Sequence, residues 1–331
     1  MTRERKLLVV AALATVYLVW GSTYLALWIM VEEMPPLLGS GLRALTAGTL
    51  LALILAATPR GWHSLRVTRQ QLAGCTLIGL LLPVLGQGLV TIAEDGGAPS
   101  GVTALLIAAV PLWIAAYRAM SGDRPSVATL MGVVVGFVGA GILIAHDGQQ
   151  GPRRSRAGDA VVVGFVGAGI LIAHDGIAGS APTWALLTVV VASMAWAFGS
   201  WLLPRLALPS DPFVLVVYEM LVGGSILCVV GVAGGEHFSP TEYSMRAWGA
   251  WASLVVVGSI IAFSAYAWLL QTTPVSVVST YAYVSPVVAV FLGWMVLSEP
   301  VTNATIAAAA IIVSGVALVV SSELPGRKAR S

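Results

Sequence analysis

Charge is what this chain has least of. Of its 331 residues only 10% are Asp, Glu, Lys or Arg, while 58% are apolar. Soluble domains carry about 25% charged residues, so this composition cannot clothe a water-facing surface. Cysteine is scarce as well: Cys75 and Cys228 both fall inside apolar stretches, where a thiol packs as a small hydrophobe. A disulfide framework is therefore excluded. The four histidines, His63, His146, His174 and His237, stand in loops or at the ends of apolar stretches, so no zinc pair of the H-E-x-x-H kind exists. No G-x-x-x-x-G-K-[ST] loop is present, which excludes a nucleotide-driven pump. The net charge of +2, with every arginine but Arg43 in a short loop or at a chain end, offers nothing to nucleic acid.

What the chain has in abundance is long apolar runs. Ten lie at about 7–31, 37–58, 72–93, 99–117, 127–145, 181–204, 213–235, 247–273, 275–298 and 302–322. A helix rising about 1.5 Å per residue needs about 20 residues to cross a hydrocarbon core roughly 30 Å thick, so each run reads as a spanning helix. The 36 glycines, spread with alanine through the runs, suit close helix packing rather than the alternation of a β-barrel. The expected fold class is all-α: a polytopic membrane protein of ten transmembrane helices, with the bilayer as its surroundings. The first run is about 25 residues, longer than the core of a signal peptide, and reads as a retained helix. With the N-terminus inside, Arg3, Arg5, Lys6, Arg60, Arg66, Arg69, Arg118, Arg124, Arg205, Arg327, Lys328 and Arg330 are cytoplasmic, against Arg153, Arg154, Arg156 and Arg246 outside. Positive charge collects on cytoplasmic loops, so both termini are expected there.

Two repeats run through the chain. The smaller is verbatim: VVVGFVGAGILIAHDG fills 133–148 and again 161–176, a shift of 28. Either copy can serve as the fifth span; the first is favoured, since Thr129 to Ala145 is the longer apolar stretch. The second copy then reads as a tandem insertion in a tolerant loop. His146-Asp147-Gly148 and His174-Asp175-Gly176 merely close the two apolar stretches, as polar helix ends. The larger repeat relates the two halves at an offset of 175 or 176, with Trp20 over Trp196, Arg43 over Glu219, Pro99 over Pro274, Pro111 over Pro286 and Pro125 over Pro300. Five spans per half is an odd number, so the second half enters from the opposite face. Inverted repeats of this kind place a site near the midplane between the halves.

The run Val16-Tyr17-Leu18-Val19-Trp20-Gly21-Ser22-Thr23-Tyr24 and the run from Ser279-Thr280-Tyr281-Ala282-Tyr283-Val284-Ser285-Pro286 through Gly293 to Glu299-Pro300 resemble the EamA family of the drug/metabolite transporter superfamily, closest to bacterial inner-membrane metabolite exporters. The resemblance covers nearly the whole chain apart from about 149–176. It implies two inverted five-helix repeats around a central cavity, alternating access, no cofactor, and export of a small-molecule substrate such as an amino acid from a plasma-membrane location. The first repeat then occupies 1–148, a loop with the duplicated copy 149–179, the second repeat 180–322 and a cytoplasmic tail 323–331. Where the second half has Ser298-Glu299-Pro300, the first has Asp123-Arg124-Pro125, which displaces the acidic residue by one position. Monomer and homodimer both fit.

Candidate cavity residues follow from helical phase. Gln87, Thr91 and Glu94 are spaced i, i+4, i+7, and Pro83 one turn earlier can bend that helix. Ser276, Ser279, Thr280 and Tyr283 in the ninth span are spaced i, i+3, i+4, i+7 on one helical face, although hydroxyls often bond their own helix instead. Tyr17, Trp20 and Tyr24 in the first span match Ser193, Trp196 and Ser200 in the sixth, and aromatic faces can close over an apolar or cationic solute. Arg43 and Glu219 each sit six residues into their runs from opposite sides, too far apart in depth to pair directly. Arg43 is expected to snorkel outward. A carboxyl inside the bilayer marks a functional candidate, so Glu219 or Glu94 is a candidate for proton coupling; a hydrogen-bonded link between helices is the competing role. An intramembrane enzyme acting on a lipid is the alternative function, though the clustered carboxylates or mid-membrane histidine that it needs are not seen.

Overall fold

A computed structural model describes residues 3–59, 61–98, 103, 106–147, 182–297 and 303–323. Among them every regular element is helical. The helices used below are α1 (Arg3–Val31), α2 (Pro36–Ala56), α3 (Arg69–Asp95), α4 (Val110–Met120), α5 (Val127–Asp147), α6 (Thr183–Leu202), α7 (Pro212–Ala233), α8 (Met245–Thr272), α9 (Val275–Val278), α10 (Tyr281–Leu297) and α11 (Asn303–Glu323). Seven of these elements contain stretches long and apolar enough to cross a membrane, and shorter apolar helices cover Val127–Ile142 and Val275–Val288.

Local signals fix where the helices begin. Pro36 opens α2 and Pro212 opens α7, positions where the missing N–H would have had no intrahelical partner. Thr68 and Gln71 form a reciprocal cap on α3, with the Thr68 hydroxyl accepting from Gln71 N–H at 3.2 Å and Gln71 Oε1 from Thr68 N–H at 2.9 Å. Asp211 caps α7 and Ser244 caps α8 in the same way, through the N–H groups of Phe213 and Ala247.

Large apolar side chains such as Met120, Val127, Met245 and Val232 point outward, as a lipid-facing surface requires. The interior is filled by Val16, Ile78, Leu82, Ile114, Leu215 and Phe263 with their neighbours. Two helix pairs lie closest. Gly41 and Gly224 let α2 and α7 touch backbone to backbone: a Cβ on Gly224 would stand 2.8 Å from the Gly41 carbonyl oxygen. Gly132, Gly136 and Gly315 do the same for α5 and α11, where a Cβ on Gly315 would meet Gly136 N at 2.5 Å. Small residues four apart are the usual device for such approach in lipid, where apolar surface alone gives helices little reason to associate.

The remaining contacts come in matched sets. Helix α1 meets α8 and α10 as α6 meets α3 and α4, and α2 meets α8 as α7 meets α3. Both α3 and α8 carry a wide π-helical stretch in mid-helix, Leu80–Gly88 and Leu254–Ala262. Pro83 lies inside the first of these, at the point where the sequence predicts a bend. The duplicated segment 161–176, Gly148 and the Glu299-Pro300 pair lie outside the described residues.

Candidate functional site: a cavity at the centre of the bundle

Side chains from α1, α2, α3, α4, α6, α8 and α10 line a cavity of about 100 Å³. With liquid water taking about 30 Å³ a molecule, this holds about three waters or one small solute. Its aromatic wall is built by Trp20, Trp196 and Tyr281, and its polar wall by Arg43, Gln87, Thr91, Thr23 and Ser193. No Asp, Glu, His or Cys lines it among the described residues.

The aromatic wall is held rigidly. Trp20 and Trp196 meet edge to face at 5.5 Å, and Trp20 packs on Tyr281 at 4.7 Å, Tyr266 at 4.8 Å and Phe263 at 5.5 Å. Tyr266 anchors the group: its hydroxyl accepts from Trp196 Nε1 at 3.1 Å and lies 2.6 Å from Ser200 Oγ. Gly86 leaves room for the Trp196 ring, since a Cβ there would stand 2.5 Å from it. Rings arranged edge to face gain beyond their buried area and resist rotation.

The polar wall turns on Arg43. Rather than snorkelling outward, its side chain is only 6% exposed and points inward, where Nη2 donates to Gln87 Oε1 at 2.6 Å. The reason is positional: the face of α2 bearing Arg43 is packed against other helices, which closes the outward route. Thr91 donates to the Gln87 carbonyl oxygen at 2.9 Å, and Ser193 Oγ accepts from Trp113 Nε1 at 3.1 Å. A guanidinium at mid-depth costs about 2.5–3.5 kcal/mol on insertion scales. One hydrogen bond to a neutral oxygen offsets about 1.5–3 of that.

Trp20, Trp196, Gln87, Thr91 and Arg43 are thus brought together on one cavity. Ser200 instead bonds Trp196 O at 2.7 Å as well as Tyr266. Ser279 donates to Ser276 O, while Thr280 donates to Val277 O and lies 2.5 Å from the Tyr17 hydroxyl, tying α1 to the turn between α9 and α10. Tyr283 is fully buried against Gly136 and donates to Val133 O at 2.9 Å, which joins α10 to α5. The Tyr24 side chain lies outside what the structure describes. Glu94 sits in the last turn of α3, away from the cavity wall. Glu219 is 1% exposed between α7 and α3, its backbone against Gly79, and its Oε2 has no hydrogen-bond partner. Neither ion pair among the described residues joins it to Arg43.

Phase explains both the misplaced and the missed residues. The helix breaks at Ser279 and Thr280, so a count that runs through the break selects Tyr283, whereas the restarted helix presents Tyr281. Tyr266 and Phe263 follow the π-helical stretch of α8, which shifts their face away from a regular 3.6-residue reading.

A lipid-facing exterior around helices that enclose a polar-walled cavity is the build of a multi-pass membrane protein. The chain belongs to the EamA-like transporter family, which matches residues 7–145 and 183–321. It is 34% identical over 318 residues to the inner membrane transporter YedA of Escherichia coli strain K12, across 96% of this chain and 92% of that one. Transporter YoaV of Bacillus subtilis strain 168 is 22% identical, across 93% and 95% respectively. A protein crystal structure 19% identical in sequence shares the fold with a TM-score of 0.71, over 98% of this chain and all of that one.

Proposed function

We propose that this protein is a secondary transporter that exports small metabolites, amino acids among the candidates, by alternating access across a bacterial inner membrane. The observation that carries the proposal is the cavity itself, where Arg43 and Gln87 face Trp20, Trp196 and Tyr281 inside an otherwise apolar bundle. The matched helix contacts support a second reading at larger scale: ten spans arranged as two inverted five-helix repeats, with both termini cytoplasmic. Under that arrangement Trp20 and Trp196 are counterparts that meet at the centre, and α2 with α7, and α5 with α11, are self-paired counterparts. Export takes the solute from cytoplasm to cavity and releases it outward as the halves rock.

Glu219 and Glu94 are the carboxyls proposed to couple flux to protons. Glu219 is buried between α7 and α3 and is not among the residues that line the cavity, so it would act by changing the packing of those helices rather than by touching solute. Flux in proteoliposomes, across an amino-acid and small-metabolite panel with and without an imposed pH gradient, tests the whole proposal. Gradient-driven flux of one solute class that becomes gradient-independent in Glu219→Gln or Glu94→Gln supports it. Flux that keeps its pH dependence in both variants removes the carboxyls from coupling, and no flux for any solute in folded protein overturns the transporter reading.

A further inference from the structure

Arg43 is the one charged side chain on the cavity wall among the described residues, and nothing there answers its charge. Gln87 Oε1 takes one Nη2 hydrogen bond, while Nε is buried without an acceptor. Neither ion pair among the described residues includes Arg43, and Glu236, at the start of α2, is taken up by the N–H groups of Leu37 and Leu38, at 3.0 and 2.6 Å. A neutral amide cannot neutralise a guanidinium, and a buried charge without a counter-charge is retained against a large desolvation penalty. The planar fork of Arg suits the two oxygens of a carboxylate, with Gln87 fixing the orientation of the fork.

We propose that Arg43 receives a carboxylate of the transported solute, and that this solute is a net anion: one carboxylate on an apolar or aromatic body lying against Trp20, Trp196 and Tyr281. The proposal rests on the transporter reading above and narrows its substrate class. A single positive charge on a mostly apolar wall matches one negative charge, not two. The wall holds no carboxylate among the described residues to receive an ammonium group, so a zwitterion fits less well than the corresponding acid.

The test uses the full chain in lipid nanodiscs with three probes on one skeleton: phenylacetate, its amide phenylacetamide, and phenylglycine, which adds only an α-ammonium group. Binding is read by tryptophan fluorescence, and flux of the same probes is read in proteoliposomes. Phenylacetate is expected to bind wild type about tenfold or more tightly than either of the others, since a charge-assisted hydrogen bond is replaced or an unpaired ammonium added. Arg43→Met is expected to erase the preference, and Arg43→Lys, which keeps the charge and loses the fork, to weaken it. Equal binding of acid and amide by wild type overturns the proposal while leaving the cavity as a solute site. An acid preference that survives in Arg43→Met overturns the assignment to Arg43, and equal binding of phenylglycine and phenylacetate overturns the net-anion class. Failure of all three to bind or move, in wild type with intact helical circular dichroism, overturns this proposal alone, while flux of other solutes in the wider panel decides the transporter reading separately. The wild-type comparison stands even if Arg43→Met does not fold.

Discussion

At the scale of single residues the interior divides into side chains that face the cavity and side chains that bind helix to helix, and the two groups predict different phenotypes. Tyr283 belongs to the second, with its hydroxyl on Val133 O. Tyr283→Phe is expected to lower stability by about 1 kcal/mol and to leave the KM of flux unchanged. Denaturation of the reconstituted protein beside a flux assay checks both halves. A change in KM without a change in stability would move Tyr283 into the site. Trp20 and Trp196 were legible from the sequence because the phase of their helices runs unbroken to them, and Gln87 and Thr91 because a spacing of four keeps them on one face at the end of the π-helical stretch. Tyr281 and Tyr266 were not, because a break at Ser279 and a π-helical stretch each reset the phase ahead of them. Arg43 was visible as an intramembrane charge, but its direction depends on which neighbours cover α2, and no single-helix pattern encodes that.

At the scale of elements, glycine decides which helices touch. Gly315→Leu would drive a side chain into the backbone of Gly132 and Gly136 and force α11 from α5. Overpacking of this kind costs about 1–3 kcal/mol, and more where the obstacle is backbone. The unfolding temperature of the variant is expected to fall accordingly, whereas Gly122→Ala, in a turn with nothing within 4 Å but at φ +82, is expected to lose only the stability that a positive φ costs an alanine.

A clamp closes one end of the same region: Arg118 donates to Asp123 at 2.8 Å and to Glu323 at 2.6 Å, and also to Ser276 at 2.5 Å, gathering α4, α9 and α11. The hydrogen bond from Arg118 holds the Asp123 carboxyl below its usual range, with its charge adding to the effect. A depressed folded-state value contributes stability above the unfolded value and loses it as pH falls through that window. Half of Asp123 is open to water, so its share is below about 1 kcal/mol. The stability difference between wild type and Asp123→Asn is expected to be fully present near neutral pH and to begin to fall only below about pH 4, as pH drops through the lowered Asp123 value. A difference that persists at lower pH would mean that the amide fails for a reason other than charge. Helix positions were legible from apolar run length, and α2, α3, α7 and α8 begin within three residues of the runs that predict them. Pairing was not legible, because lipid-facing and partner-facing sides of these helices are equally apolar.

At the scale of the whole molecule, the family match stops at 145 and resumes at 183, which leaves the second copy of VVVGFVGAGILIAHDG between the two matched regions. A chain lacking 149–176 is therefore expected to insert, fold and transport like the full protein, since the cut joins two identical endings. Loss of flux in that variant would assign the extra copy a role in the fold. Accessibility of single cysteines placed at Thr2 and Ser331 to a membrane-impermeant reagent checks the expected cytoplasmic termini, and labelling of either from outside reverses the topology.

The paired π-helical stretches in α3 and α8 have a mechanical meaning. Each stores helix that is wound more loosely than its flanks, and one residue of ordinary α-helix corresponds to about 100° of rotation. If Leu80–Gly88 tightened to regular α-helical winding, Gln87 and Thr91 would swing round the axis as a block, carrying the acceptor of Arg43 out of the cavity wall without any span sliding through the membrane. The helices flanking such a stretch would behave as the two halves of a ratchet, free to stop in discrete settings rather than anywhere between. A solute site built beside it would then be dismantled by rotation, and the load released when the wall that grips it turns away.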